Sequence, residues 1–472
     1  MRNFFFKVGT IAAYMLAGAL TLSSCGGDDN NGGGNTEPPE QPVKPDQPAK
    51  NEALTPGEQK VRMEKIAKDV MNMVQASDFV EYSDLAHYID RTYNEDNYNW
   101  DAVSRWARTC WDATCVATGN KYEVTSGYYG KYVYSDYKAL ILASNFTGHF
   151  TASNGRWVRS NANDLQFVFK GNTGEECTLK LETSGAVTKV HVANWEEYED
   201  YESSYDNGYY KWTEYVNRVE GTVGVPENVT VTLTQGGKQL VKANVNIKLS
   251  GLKGDELDIS KGNVEVSADV ELSNGFVIST SQVKYAGNSK LSVASATVKK
   301  AGTAIFTVAM SGDISGLPSC NVSAFTKENF NIDDYDTDNA TAKNAFVKVD
   351  VLGQMQIQGV VSDVRKYCNM LDEADHNRKN ERNFKSYIDQ ANGLADVNLF
   401  YDNTSIKQAS VLLEAFVDDE WNGVKYWEFE PILKFYDGSS NSPFGTFFNE
   451  KDFKSVIRMY ENIVEDFEDL LE

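Results

Sequence analysis

The chain has 472 residues, with 68 acidic against 45 basic side chains and a formal charge of −23 at pH 7. So acidic a surface argues against nucleic acid as a partner and against electrostatic adhesion to anionic membranes, while it suits solubility and leaves room for divalent cations. The six cysteines are scattered (Cys25, Cys110, Cys115, Cys177, Cys320, Cys368), without metal-ligand spacing and without the even count of a disulfide framework once Cys25 is set aside. Most of them read as small buried apolar residues. Cys110 and Cys115 would pair only across a turn, because on one helix they point apart.

The first seven residues, MRNFFFK, carry Arg2 and Lys7 and no acid, and the apolar run GTIAAYMLAGALTL follows. That run is shorter than the roughly 20 residues a spanning helix needs, and the pattern is that of a secretory signal over residues 1–24. Removing it takes the charge from −23 to −25. The small residues at its end lead directly into Cys25, and the thiol is the one nucleophile at this junction able to take a thioether-linked lipid. Residues 25–54 then run through GGDDNNGGGN into a segment with five of the ten prolines (Pro38, Pro39, Pro42, Pro45, Pro48), which reads as an extended stalk.

Leu22-Ser23-Ser24-Cys25 resembles the bacterial lipobox, and Asp28 and Asp29 in a Gly-rich tether resemble the export signal of Bacteroidetes surface lipoproteins. The resemblance covers residues 1–50 and implies a lipid anchor on Cys25, outer-membrane localisation facing the cell exterior, and membrane contact through that anchor. A plain spacer facing the periplasm is the alternative. Several acyl chains hold firmly where one is marginal. No fold or substrate follows from the resemblance.

The body opens at Thr55-Pro56-Gly57-Glu58, a capping box with proline at the first helical position, followed by Met63, Ile66, Ala67, Val70, Met73 and Val74 at helical spacing. A helix over about 56–75 is expected, with shorter ones near 78–92 and 99–115, giving a helical segment over 55–118. From 119 to 330 the period becomes two: Ala243, Val245, Ile247 and Leu249 alternate with polar residues, as do Val264, Val266, Ala268, Val270 and Leu272. Asn274-Gly275 then predicts a type I′ hairpin, and GNTG (171–174), QGG (235–237), AGN (286–288) and KKAG (299–302) predict further turns. Over 331–472 two helical stripes (Val360 to Ala374, Phe384 to Leu394) precede strands at 397–401, 407–417 and 426–435, and a last helix from Phe453 to Leu471. The expected class is α+β: a large, curved antiparallel sheet, a half-barrel-like meander, with helices packed on one face and helices at both ends. Residues 55–472 form either one domain or two α+β domains split near 330.

Catalytic patterns are missing: no GxSxG, HExxH, P-loop or GxGxxG occurs, Ser281 and Lys284 fall on an expected strand, and His87, His149, His191 and His376 stand far apart. Among 68 acids some pair always resembles that of a glycosidase, so none is singled out. One stretch is distinctive: residues 194–218 interleave Trp195, Tyr198, Tyr201, Tyr205, Tyr209, Tyr210, Trp212 and Tyr215 with carboxylates. Aromatic faces stack on the C–H faces of sugars while carboxylates accept their hydroxyls, and Tyr and Trp also dominate protein hot spots; the plainer reading is a hairpin whose rings pack together. Asp334, Asp336 and Asp338 alternate like the start of a calcium loop, but Asn339 stands where Gly makes the turn and Ala345 where Glu would close the site, so a solvated acidic loop is expected and no cofactor. The expectation is a non-catalytic cell-surface lipoprotein that binds an extracellular ligand, foremost a glycan. The alternatives are an interaction subunit docked on an outer-membrane protein, or a carrier of an apolar ligand.

Overall fold

The computed structural model describes residues 53–94, 101–206, 208–251, 262–286, 290–313, 343–402 and 405–471. The expected signal, Cys25, nearly all of the stalk, Cys320 and the acids Asp334, Asp336 and Asp338 lie outside the described residues.

The capping box forms. Glu58 N donates to Thr55 Oγ1 at 3.3 Å and Thr55 N donates to Glu58 Oε2 at 2.9 Å, opening α1 (Pro56–Met73). A 3₁₀ turn at Ala76–Phe79 leads into α2 (Val80–Asn94), and α3 spans Asp101–Thr114. The helical segment therefore stops short of residue 118, because Cys115 to Ala117 already pair with Ala139 to Tyr137 in the sheet.

The strands are β1 (Cys115–Ser126), β2 (Gly130–Leu142), β3 (Gly148–Ser153), β4 (Arg156–Ser160), β5 (Leu165–Lys170), β6 (Glu176–Asp206) and β7 (Tyr209–Gln235). They continue as β8 (Lys238–Ser250), β9 (Asn263–Leu272), β10 (Phe276–Ala286), β11 (Lys290–Lys300), β12 (Thr303–Asp313), β13 (Lys343–Val351) and β14 (Met355–Asp363). After α4 (Val364–His376) and α5 (Glu381–Leu394) come β15 (Ala395–Tyr401), β16 (Ala409–Trp421), β17 (Val424–Phe435), the short β18 (Ser442–Pro443), the single turn α6 (Phe444–Phe447) and α7 (Glu450–Leu471).

From β7 to β18 each strand pairs antiparallel with the next, the expected meander. Because β12 pairs with β13, hydrogen bonding runs unbroken from the first strand group into the second. The all-antiparallel expectation fails at two joints: β2 lies parallel to β7, and β3 parallel to β5. The reason lies in strand lengths. β6 and β7 form a hairpin of 31 and 27 residues, and β8 covers only Asn228–Gln235 of β7. The rest of that edge would leave backbone groups unpaired; β2 fills it over Trp212–Gly224, in the direction its own hairpin with β1 imposes. The sheet is thus mixed, and strands dominate the described chain, so the expected balance of α+β shifts toward β.

Three apolar clusters join helices to this sheet. Ile66 of α1 packs on Val308, Val349, Leu399, Ala409 and Leu433; Tyr88 of α2 packs near Phe150, Phe169 and Leu233; Phe384 and Ile388 of α5 pack on Trp427. The turn expected at KKAG is a two-residue loop with positive φ at Ala301 and Gly302. At Asn274-Gly275 the hairpin forms but the turn differs: only Gly275 is left-handed, and Gly275 N bonds Leu272 O at 3.0 Å. Asn274 keeps ordinary backbone because its side chain is engaged, donating to Asp78 O at 2.9 Å and accepting from Phe276 N at 3.3 Å.

Candidate functional site: an aromatic face on the β6–β7 hairpin

Toward its tip the long hairpin becomes part of a four-stranded ribbon in the order β1, β2, β7, β6. Residues opposite each other in a ladder share a face, so the register assigns side chains directly. One row runs Tyr122, Tyr134, Val216, Tyr198; the next runs Val124, Tyr132, Glu214, Tyr201; the third runs Ser126, Gly130, Trp212, Ser203, with Tyr210 and Tyr205 paired beyond. Eight rings therefore stand on one face. Tyr122 and Tyr134 stack at 5.1 Å, Tyr132 and Tyr134 at 6.0 Å, and Trp212 meets Tyr132 edge-on at 5.0 Å. The face is open to solvent, Tyr198 being 58% and Tyr205 76% exposed.

Arg218 organises its inner end. Its guanidinium lies 5.8 Å from the centre of the Tyr134 ring, donates to the Tyr122 hydroxyl and pairs with Glu196 at 3.6 Å. Burial, and after it the charge of Glu196, pushes the Tyr134 phenol up. At the outer end the Tyr201 and Tyr210 hydroxyls lie 3.1 Å apart, and this bond pushes Tyr201 up to about 12. Trp212 lies flat over Gly130: a Cβ there would fall 2.2 Å from the indole Cζ2.

Of the eight aromatic residues picked out by sequence, Tyr198, Tyr201, Tyr205, Tyr210 and Trp212 share this face. Trp195, Tyr209 and Tyr215 occupy the other one. Trp195 packs 5.5 Å from Trp111 of α3, Tyr209 stacks on Tyr129 at 4.7 Å, and Tyr215 donates to Glu202 at 3.1 Å. Alternation along β7 separates Tyr210 and Trp212 from Tyr209 and Tyr215, and a bulge on β6 adds Tyr198: the register shifts between Tyr198 and Asp200, so Tyr198 and Tyr201, three apart, face the same way. Tyr122, Tyr132 and Tyr134 complete the face from strands about 80 residues earlier in the chain. For Tyr132 and Tyr134 the only signal in the sequence is alternation in YYGKYVYSDY, and Tyr122 stands alone in NKYEVTS; neither stretch says which strand they join.

The other candidates are dispersed. His149 bonds Asp164 at 2.6 Å and His376 Nδ1 bonds Asp372 O at 2.8 Å, each a local pair. Among the described residues no group of His, Cys, Asp and Glu could hold a metal ion, and no helix is long and apolar enough to cross a membrane. Cys110 and Cys115 are free and half-buried, Cys177 and Cys368 free and buried. Comparison with protein families, with characterised proteins and with solved structures finds no match to this chain.

Proposed function

We propose that this chain is a non-catalytic lipoprotein, anchored through Cys25 in the outer membrane and facing outward, whose ribbon of β1, β2, β7 and β6 binds a glycan. The observation that supports it is the single solvent-open face of eight rings interleaved with Glu196, Glu214 and Arg218. A sugar ring laid on such a face covers its C–H bonds with aromatic carbon while its hydroxyls reach the carboxylates and the guanidinium. Stacked aromatic contacts contribute about 1 kcal/mol each, so affinity comes from several rings engaged along a polymer rather than from one pocket. The test is a glycan array probed with the full chain in a sugar-free detergent. Signal that disappears when Tyr198, Tyr201, Tyr210 and Trp212 become Ala, with circular dichroism unchanged, supports the reading; wild-type silence on every glycan overturns it.

A second reading, an interaction subunit, is favoured by one observation. β5 pairs with only Glu176–Leu181 of β6, so among the described residues the outer edge of β6 beyond Leu181 has no strand beside it. Such an edge accepts an added strand from a partner. The helices fit a common picture with the expected half-barrel. The residues that α1, α2 and α5 contact carry the same strand parity across the ladders, which we read as one helix-covered face opposite the aromatic one.

A further inference from the structure

We infer that the groove between α3 and the β3–β4 hairpin is a second ligand site, for a sugar-sized ring that carries a carboxylate or sulfate. It uses none of the residues of the aromatic face and stands independently of the glycan reading there. The groove is open to solvent, offers about 620 Å³ and is lined by Arg105, Trp106, Thr109, Cys110, Asn145 and Arg159, with two alanines of α3. No acid lines it, and this in a chain of charge −23.

Arg159 is built into place. It donates from Nη2 to Thr147 O and from Nη1 to Asn161 Oδ1, both at 3.1 Å, and its Nε lies over Gly148, where a Cβ would come within 2.8 Å. The floor is fixed by the same loop, since Trp106 Nε1 also donates to Thr147 O at 3.1 Å and the indole meets Phe150 edge-on at 4.8 Å. Arg105 projects from α3 into this space. Among the described residues no carboxylate lies within ion-pair range of Arg105 or Arg159, whereas Arg108 on the same helix pairs with Asp112. Two guanidiniums without counter-charge, one held rigid, form a receptor for an oxyanion. The volume falls in the range of ordinary ligand sites and far exceeds what a bare oxyanion fills, while Trp106, Asn145 and Thr109 provide an aromatic surface, an amide and a hydroxyl for the ring that bears it. Arg159 is close enough to the Cys110 thiol to draw its pKa down against the burial that raises it, so Cys110 reports on the same groove.

The experiment is calorimetric titration of the full chain, in a sugar-free detergent, with glucuronate, glucose and inorganic sulfate, repeated on Arg105→Ala, Arg105→Lys and Arg159→Ala. In parallel the rate of maleimide labelling at Cys110 is followed by mass spectrometry. The expected result is glucuronate binding at least about tenfold tighter than glucose or sulfate, weakened about tenfold or more in Arg105→Ala and partly restored in Arg105→Lys, with Cys110 protected by glucuronate. Equal binding of glucose removes the oxyanion from the inference, and equal binding of sulfate removes the ring. No binding of glucuronate, or wild-type affinity in Arg105→Ala, overturns the site altogether. Arg105 is exposed, so its variants fold even if Arg159→Ala does not. The variant of the aromatic face that loses array signal retains glucuronate binding, which separates failure of one site from failure of the other.

Discussion

Asp84 is an acid almost without water around it, and its carboxylate accepts from Thr173 N at 2.6 Å and Gln235 Nε2 at 2.7 Å. It thereby pins α2 to the GNTG turn and to the end of β7. Gly171 leaves room for it: a Cβ there would stand 1.8 Å from Asp84 Oδ2. Asp84→Ala strands the buried Gln235 amide and takes the acceptor from Thr173 N in the GNTG turn, and should cost about 2 kcal/mol. Gly171→Ala should approach that loss by forcing the same contact apart. Urea midpoints at neutral pH measure both, and an unmoved midpoint in Gly171→Ala would refute the tight contact. Nothing in SDLAHY marks Asp84 as buried, because an acid in a helix reads as solvated until its tertiary neighbours are known. Gly130 is a parallel case on the aromatic face. Gly130→Val should lift Trp212 from its seat, altering the near-ultraviolet circular dichroism of the tryptophans and weakening array signal while far-ultraviolet spectra stay the same.

At the level of elements, local chemistry was readable and pairing was not. The Thr55–Glu58 box follows from residue types three apart, and the structure forms both of its hydrogen bonds. Thr55→Ala should therefore cost about 1 kcal/mol, seen as a lower thermal midpoint, since it removes the acceptor for Glu58 N. The alternation in 264–272 likewise fixed a strand and its return, but not the turn type, because a tertiary bond to Asp78 O claims the Asn274 side chain. The parallel seating of β2 against β7 had no trace at all: period-two patterning specifies which residues share a face, never which strand lies alongside. That is why Tyr122, Tyr132 and Tyr134 were missed, whereas the split of the eight picked aromatics, five on one face and three on the other, follows from alternation along β6 and β7 and the bulge after Tyr198.

Across the whole molecule, the first and last helices are held together by charge. Lys60 of α1 pairs with Asp452 of α7, and Glu64 of α1 accepts from Lys68 and from Ser455 of α7. The hydrogen bond from Lys60 draws Asp452 below its ordinary value, and those from Lys68 and Ser455 draw Glu64 below its own. A carboxyl whose folded pKa is depressed stabilises fully above its unfolded value and loses that contribution as pH falls through the folded one. The α1–α7 junction should thus be unaffected from neutrality down to about pH 5 and loosen below it. Hydrogen exchange in α7 checks this: faster exchange at pH 3 than at pH 5, after correction for intrinsic rates, is expected, and Lys60→Met should reduce the difference.

The seating of β2 also sets an order of events in time. A chain emerging from its N-terminus presents Gly130–Leu142 82 residues before Trp212–Gly224, the edge it must join, and α1 precedes the Asp452 that holds it by 392 residues. Until then the β1–β2 hairpin waits with one edge unpaired and its tyrosines exposed. Closures over such separations are slow, and intermediates with open edges aggregate. The waiting hairpin carries Lys121, Lys131 and Lys138 against Glu123 and Asp136, while the strand still to come carries Glu196, Glu197 and Glu202, so opposite charge draws the second ribbon to the first once it exists. The negative charge that reads at first as a property of the finished surface is, on this view, also what guides the late strand to the hairpin that waits for it.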